Sequence, residues 1–176
     1  QASSSAASDV YKRQVKEALK KGLPVELSLI PFVESQFDPY AQSSTGASGI
    51  WQFIPSTARE NGLKKNWWYD GRRDILASTE AAYTFLTSLY EKYDDWLIAI
   101  AAYNAGPSRI RKEIEKNKSN GLPTDFWSLN LPRETKAYVP KILAIVEVIR
   151  EPEKYNIQLP YLANRPYLVS SNYPLK

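Results

Sequence analysis

The sequence predicts a mainly α domain with a small irregular β element. Three observations carry this. Apolar residues recur at helical spacing through two long segments, 75–93 and 133–150. Between them lies Trp96-Leu97-Ile98-Ala99-Ile100-Ala101-Ala102-Tyr103, almost wholly apolar and so suited to a helix buried on every side. Stretches of β-like composition, 49–54 and 167–169, are too short for more than a small hairpin.

The elements follow in order. Residues 15–21 form a short helix stopped by Gly22, and Pro24 suits the first turn of the next, which runs to Glu34 or Ser35. Pro31 lies inside that helix and is expected to kink it by removing a backbone donor. Asp38-Pro39 starts a turn, 43–48 is a loop of small residues, and 49–54 pairs with it at best as a hairpin. Pro55 opens a short helix that ends at Asn61-Gly62, followed by a polar aromatic segment holding Trp67, Trp68 and Tyr69. Asp74 can cap the helix 75–93, lined by Leu76, Ala77, Thr84, Leu86, Leu89 and Tyr90. Asp94-Asp95 breaks it ahead of the apolar helix, which Gly106-Pro107 stops. A surface helix over 108–118, a loop over 120–132 with Phe126 and Trp127, and a last helix from Arg133 complete the pattern. Ile142, Leu143, Ile145, Val146 and Ile149 form the last helix's stripe, and Pro140 is expected to kink it. From Glu151 the chain reads as extended.

Residues 9–14 match the translation of a transposon-type sequencing adapter. Residues 1–14 are therefore expected to be a non-native segment, with the natural start missing. The domain is expected to span 15–160, and 161–176 to be an extended tail or the start of a truncated linker. No internal repeat is present, and no apolar run is long enough to span a bilayer.

Composition narrows the chemistry. The 176 residues include no Cys and no His, which excludes disulfides, thiolate or His-ligated metal sites and Ser-His or Cys-His nucleophiles. Acid–base work falls to Asp, Glu, Tyr or Lys. A net charge of +4 suits an anionic polymer or surface, but the basic residues are scattered, which argues against nucleic acid. Trp and Tyr, 5 and 12 of them, greatly outnumber the 5 Phe and suit sugar-stacking faces as well as a core.

Glu34 is the candidate general acid. It shares a helical face with Leu27, Ile30 and Pro31, under the turn-rich run 38–49, where burial raises a carboxyl pKa. The plainer alternative is a Glu near a helix end that turns out to solvent. Asp38, the obvious second carboxylate, reads better as a cap of its own turn.

Glu34-Ser35, Phe37-Asp38-Pro39, Ala41, Ser43, Gly46-Ala47, Gly49-Ile50-Trp51-Gln52 and Pro55-Ser56-Thr57 together resemble the first signature of the Slt-type lytic transglycosylases. These are family 23 glycoside hydrolases with a goose-lysozyme-like fold. Ala101-Ala102-Tyr103-Asn104-Ala105-Gly106 resembles their second signature, and Arg133-Glu134-Thr135 with Tyr138-Val139 their third. The resemblance covers residues 23–159. Trp51 departs from it, since many relatives carry Met there.

The resemblance implies an α+β lysozyme-like fold, with the small hairpin beside an active-site cleft. It implies cleavage of the MurNAc-β-1,4-GlcNAc bond of peptidoglycan, in which the muramyl C6 hydroxyl attacks in place of water and leaves 1,6-anhydroMurNAc ends. Glu34 would act alone, first as acid and then as base. Ser43, Gln52 and Asn104 match positions that hold N-acetyl and hydroxyl groups, Tyr103 and Tyr138 match aromatic hydroxyls that line the site, and Glu134 matches a cleft-facing Glu. As bare residues, Asn104 could equally be a helix C-cap and Glu134 a helix N-terminal charge. Trp51 floors the cleft or fills core, and Trp67, Trp68 and Trp127 stack on sugars at the cleft edges or pack into core and loops. No metal or cofactor is implied. The expected partner is the glycan strand, bound by a monomer in the periplasm or envelope, with an outer-membrane anchor on a missing lipoprotein segment. Two alternatives stay open: a lysozyme-like muramidase that uses water, and a non-catalytic peptidoglycan-binding module.

Overall fold

A computed structural model describes residues 4–158. Seven α-helices carry the described fold: α1 (Ser4–Lys20), α2 (Ile30–Ser35), α3 (Pro55–Glu60), α4 (Ile75–Tyr93), α5 (Trp96–Ala105), α6 (Pro107–Ser119) and α7 (Arg133–Arg150). The apolar α5 is the hub, packed against α4, α6 and α7. Ile98 to Ala102 are all buried, and three alanines among them let the surrounding helices approach closely. Asp74 caps α4 by accepting from the Leu76 and Ala77 N–H groups, both at 2.9 Å. Asp95 caps α5 in the same way through Leu97 and Ile98. The two caps fix the corner from which the core is built.

Several expectations are corrected. Residues 25–35 do not form one kinked helix. Val25–Leu29 is a 3-10 turn and α2 begins at Ile30, so Pro31 sits in the first turn, where its missing donor costs nothing. Pro140 does lie inside the last helix, α7, as its place in the sequence leads one to expect. Of the segment expected to be non-native, residues 4–14 are continuous with the helix expected over 15–21. α1 runs unbroken from Ser4, Val10 is buried, and Gln14 is fully buried. The Gln14 Oε1 accepts from the Thr79 hydroxyl at 2.9 Å and its carbonyl from the Tyr83 hydroxyl at 2.8 Å. On α4, Leu76 and Thr84 face solvent, and Ala81, Ala82 and Tyr83 take the buried face with Leu86 and Leu89. Pro152–Tyr155 forms a 3-10 turn where an extended segment was expected. The strand-like residues 167–169 and the tail 161–176 lie outside the described residues.

The expected hairpin is also absent. Among the described residues the segment from Gln42 to Phe53 holds only isolated bridges, Gln42 to Ser48 and Ser48 to Phe53. Its backbone turns too tightly for a strand, because Gly46, Gly49 and Gln52 all take positive φ. At Gly49 the requirement is strict: a Cβ there would lie 1.7 Å from the Arg72 carbonyl oxygen.

Candidate active site

The cleft draws on three helix ends and one loop. The end of α2 supplies Glu34, the end of α5 supplies Tyr103 and Asn104, and the start of α7 supplies Glu134. The irregular loop adds Ser43, Thr45, Ala47, Gln52 and Phe53 as one wall. The volume is about 370 Å³. Ser43, Gln52, Tyr103, Asn104 and Glu134 therefore share one cavity with Glu34, as the motifs lead one to expect. Tyr138, buried and outside that lining, approaches from one turn further along α7, and its hydroxyl donates to Glu34 Oε1 at 2.5 Å.

Glu34 is partly buried and its carboxyl is pushed up from 4.5 to about 7. Burial is the main cause, because a charged carboxylate loses its hydration there. The Tyr138 hydrogen bond opposes the shift by stabilising the anion. The Glu134 charge adds to it and Lys141 subtracts from it. A carboxyl poised near 7 holds a proton or gives it up at little cost around neutrality, as an acid–base catalyst requires. Tyr138 and Tyr103 are both pushed well above the ordinary phenol range, by burial first and by the Glu34 charge next, so both stay protonated.

Each polar neighbour presents a defined face. The Tyr103 hydroxyl donates to the Trp51 carbonyl at 2.8 Å, which leaves its oxygen as an acceptor. The Gln52 amide donates to Gly49 O at 2.8 Å and Ala41 O at 3.2 Å. With both hydrogens held by the loop, Gln52 offers a ligand its carbonyl oxygen. Asn104 is the converse: its Oδ1 accepts from the Thr135 hydroxyl at 2.9 Å, so it offers N–H donors. Ser43 Oγ accepts from Ala47 N at 3.0 Å and shares a hydrogen with Thr45 Oγ1 at 2.9 Å.

Other candidates fall outside the cavity. Asp38 accepts from Tyr40 N at 2.8 Å and caps its own turn. Trp51 is fully buried, with its indole N–H on Thr79 Oγ1 and its ring edge-on to Tyr83 and Tyr103, so it belongs to the core. Trp127 packs edge-on against Phe126. Trp67 and Trp68 stand in solvent.

Two residues that brace the cleft were given no part in it by the sequence. Thr135 is buried behind Asn104 and sets its amide. Arg72 is buried, paired with Asp70 at 2.6 Å, and donates to Gly46 O at 2.8 Å and Phe53 O at 3.3 Å, pinning the cleft-wall loop at two points. The only sequence signal for Arg72 is the dense charge of Asp70-Gly71-Arg72-Arg73-Asp74.

A family model described as Transglycosylase SLT domain matches residues 13–124. The chain belongs to that family. Membrane-bound lytic murein transglycosylase D of Escherichia coli (strain K12) is 51% identical over 142 residues, which are 80% of this chain and 31% of that protein. A putative tributyltin chloride resistance protein of Alteromonas sp. (strain M-1) is 36% identical over 86% of this chain and 72% of its own. The fold is similar to that of lytic transglycosylase Slt from Pseudomonas aeruginosa, solved as an inactive mutant with a glutamate replaced by glutamine. The TM-score is 0.59 at 28% identity, over 82% of this chain and 24% of that one. The chain thus spans less than a third of the Escherichia coli relative and about a quarter of the solved SLT-family chain.

Proposed function

We propose that this SLT domain is a peptidoglycan lytic transglycosylase that cuts the MurNAc-β-1,4-GlcNAc bond in the cell envelope, with Glu34 as its single acid and base. The observation that carries the proposal is a partly buried carboxyl near pKa 7, held by Tyr138 in a cleft whose other polar groups are neutral hydrogen-bonders and one exposed carboxylate. Glycoside cleavage ordinarily engages two carboxylates. Here a single group suffices, because the substrate supplies the rest.

Protonated Glu34 delivers its proton to the glycosidic oxygen as the bond breaks. The muramyl N-acetyl oxygen stabilises the positive C1. The resulting carboxylate, held by the Tyr138 hydroxyl, then takes the proton from the C6 hydroxyl as that oxygen closes on C1. This restores the acid and leaves an anhydro ring. The polar faces suit an N-acetylated sugar: Asn104 donates where an acetamide carbonyl accepts, and Gln52 accepts where an acetamide N–H donates. The names of the relatives support both the substrate and the envelope location.

Glu134 supports a second reading, hydrolysis, since it is a further carboxylate at the cleft. Glu34→Gln tests the core of the proposal. Turnover of murein is expected to fall by at least about 10²–10⁴, with glycan binding retained. Turnover near the parent rate would overturn the assignment.

A further inference from the structure

We propose that Trp67 and Trp68 form a second glycan-binding platform outside the cleft, which grips the peptidoglycan strand while the cleft holds the bond to be cut. The proposal rests on the substrate class inferred above. The two indoles are 88% and 90% exposed, adjacent in sequence, and carried on a loop that is anything but slack. Lys65 and Asp70 bridge across its base. Asn66 N donates to Tyr69 O at 2.8 Å, and the Asn66 side-chain oxygen accepts from Trp68 N and Tyr69 N at 2.9 and 2.8 Å. Gly71 N donates to Lys64 O at 2.8 Å, and the Tyr69 hydroxyl donates to Asp74.

A braced loop that keeps two of the largest apolar side chains in water marks a contact surface. A braced backbone spares a partner the cost of ordering the loop when it stacks on the rings. The position favours a glycan strand over a bilayer. The cleft lining holds no residue between Thr57 and Phe85, so the platform is separate from it. It is nonetheless tied to the cleft wall, because Arg72 joins this loop to Gly46 and Phe53. A polymer overruns a cleft of about 370 Å³, and a second hold raises its effective concentration there. Lys64 stands exposed three positions before Trp67, and Lys65, exposed and 3.9 Å from Asp70, two before it, so positive charge lies near in sequence for the carboxylates of the peptide stems.

The test is co-sedimentation with purified murein sacculi in a Glu34→Gln background, so that binding is read without cleavage. Trp67→Ala/Trp68→Ala is expected to bind sacculi at least about tenfold more weakly. Trp67→Phe/Trp68→Phe should recover much of the loss, and a circular dichroism melt should show the fold intact. In the cleavage-competent protein, the Ala pair should lose more rate on sacculi than on a short soluble glycan. Equal sacculus binding by parent and Ala pair, including none by either, overturns the platform. So does unchanged sacculus binding with lost sedimentation on phosphatidylglycerol vesicles, which would assign the loop to lipid. A parent that cleaves neither substrate would sink the proposed activity alone, since the platform is read in the inactive background.

Discussion

Tyr138→Phe removes the one hydroxyl that donates to Glu34 and keeps the buried ring. The hydrogen bond stabilises the Glu34 anion and holds its pKa down against burial. Its loss must therefore raise the pKa above the parent's value of about 7. A hydrogen bond to a charged group contributes about 1.5–3 kcal/mol. At about 1.4 kcal/mol per pKa unit, the rise is roughly one to two units. Catalysis begins from protonated Glu34, so kcat/KM falls as pH rises through the free enzyme's pKa. The parent's alkaline limb should lie near pH 7, and that of Tyr138→Phe roughly one to two units higher. The assay is initial rates on soluble glycan fragments across the neutral and alkaline range. If the variant is too slow, NMR titration of a labelled Glu34 carboxyl serves. A limb that stays in place, or moves to lower pH, would refute the account of how Glu34 is tuned.

Three further outcomes follow from the geometry. Glu34→Gln should stabilise the protein at alkaline pH: the folded pKa lies above the ordinary 4.5, so below 4.5 the group costs nothing, and the penalty grows through the window up to about 7 and stays. Melting curves should show a gain of up to about 3 kcal/mol above pH 7, shrinking towards zero in acid, and an equal gain at both ends would contradict this. Gly49→Ala should destabilise by more than about 2 kcal/mol, by strain at φ +82 and collision with the Arg72 carbonyl, read by denaturant unfolding; a neutral effect would show that the loop yields easily. Thr135→Val frees the Asn104 amide and should raise KM by about three- to tenfold, as loss of a neutral hydrogen bond predicts, with Thr135→Ser near parent; identical losses in both variants would mean packing alone.

The helices were legible because their signals are local. Asp74 and Asp95 cap, Gly106-Pro107 stops α5, and the apolar run of α5 has nowhere to go but the centre. That the motif residues would meet was legible because short motifs keep their order, and Glu34, Gln52, Tyr103, Asn104 and Glu134 do line one cavity. What the sequence hid depends on distant partners. Glu34 and Tyr138 are 104 positions apart, and nothing local announces that bond. Trp51 could face sugar or core until Thr79 and Tyr83 closed around it. Pro31 suggested a kink because the 3-10 turn before it, which shifts Pro31 into a first turn, has the same composition as a helix. Nothing in residues 9–14 as a string announces that Gln14 meets Thr79 and Tyr83 of α4.

The central claim is that Glu34 serves both steps and that the C6 hydroxyl displaces water. Digestion of purified sacculi in ¹⁸O-water, with mass spectrometry of the released muropeptides, tests it most directly. The expected products end in 1,6-anhydroMurNAc and carry no ¹⁸O at the new end. Reducing ends labelled with ¹⁸O would contradict it and assign the cleft to hydrolysis with Glu134 as the second carboxylate.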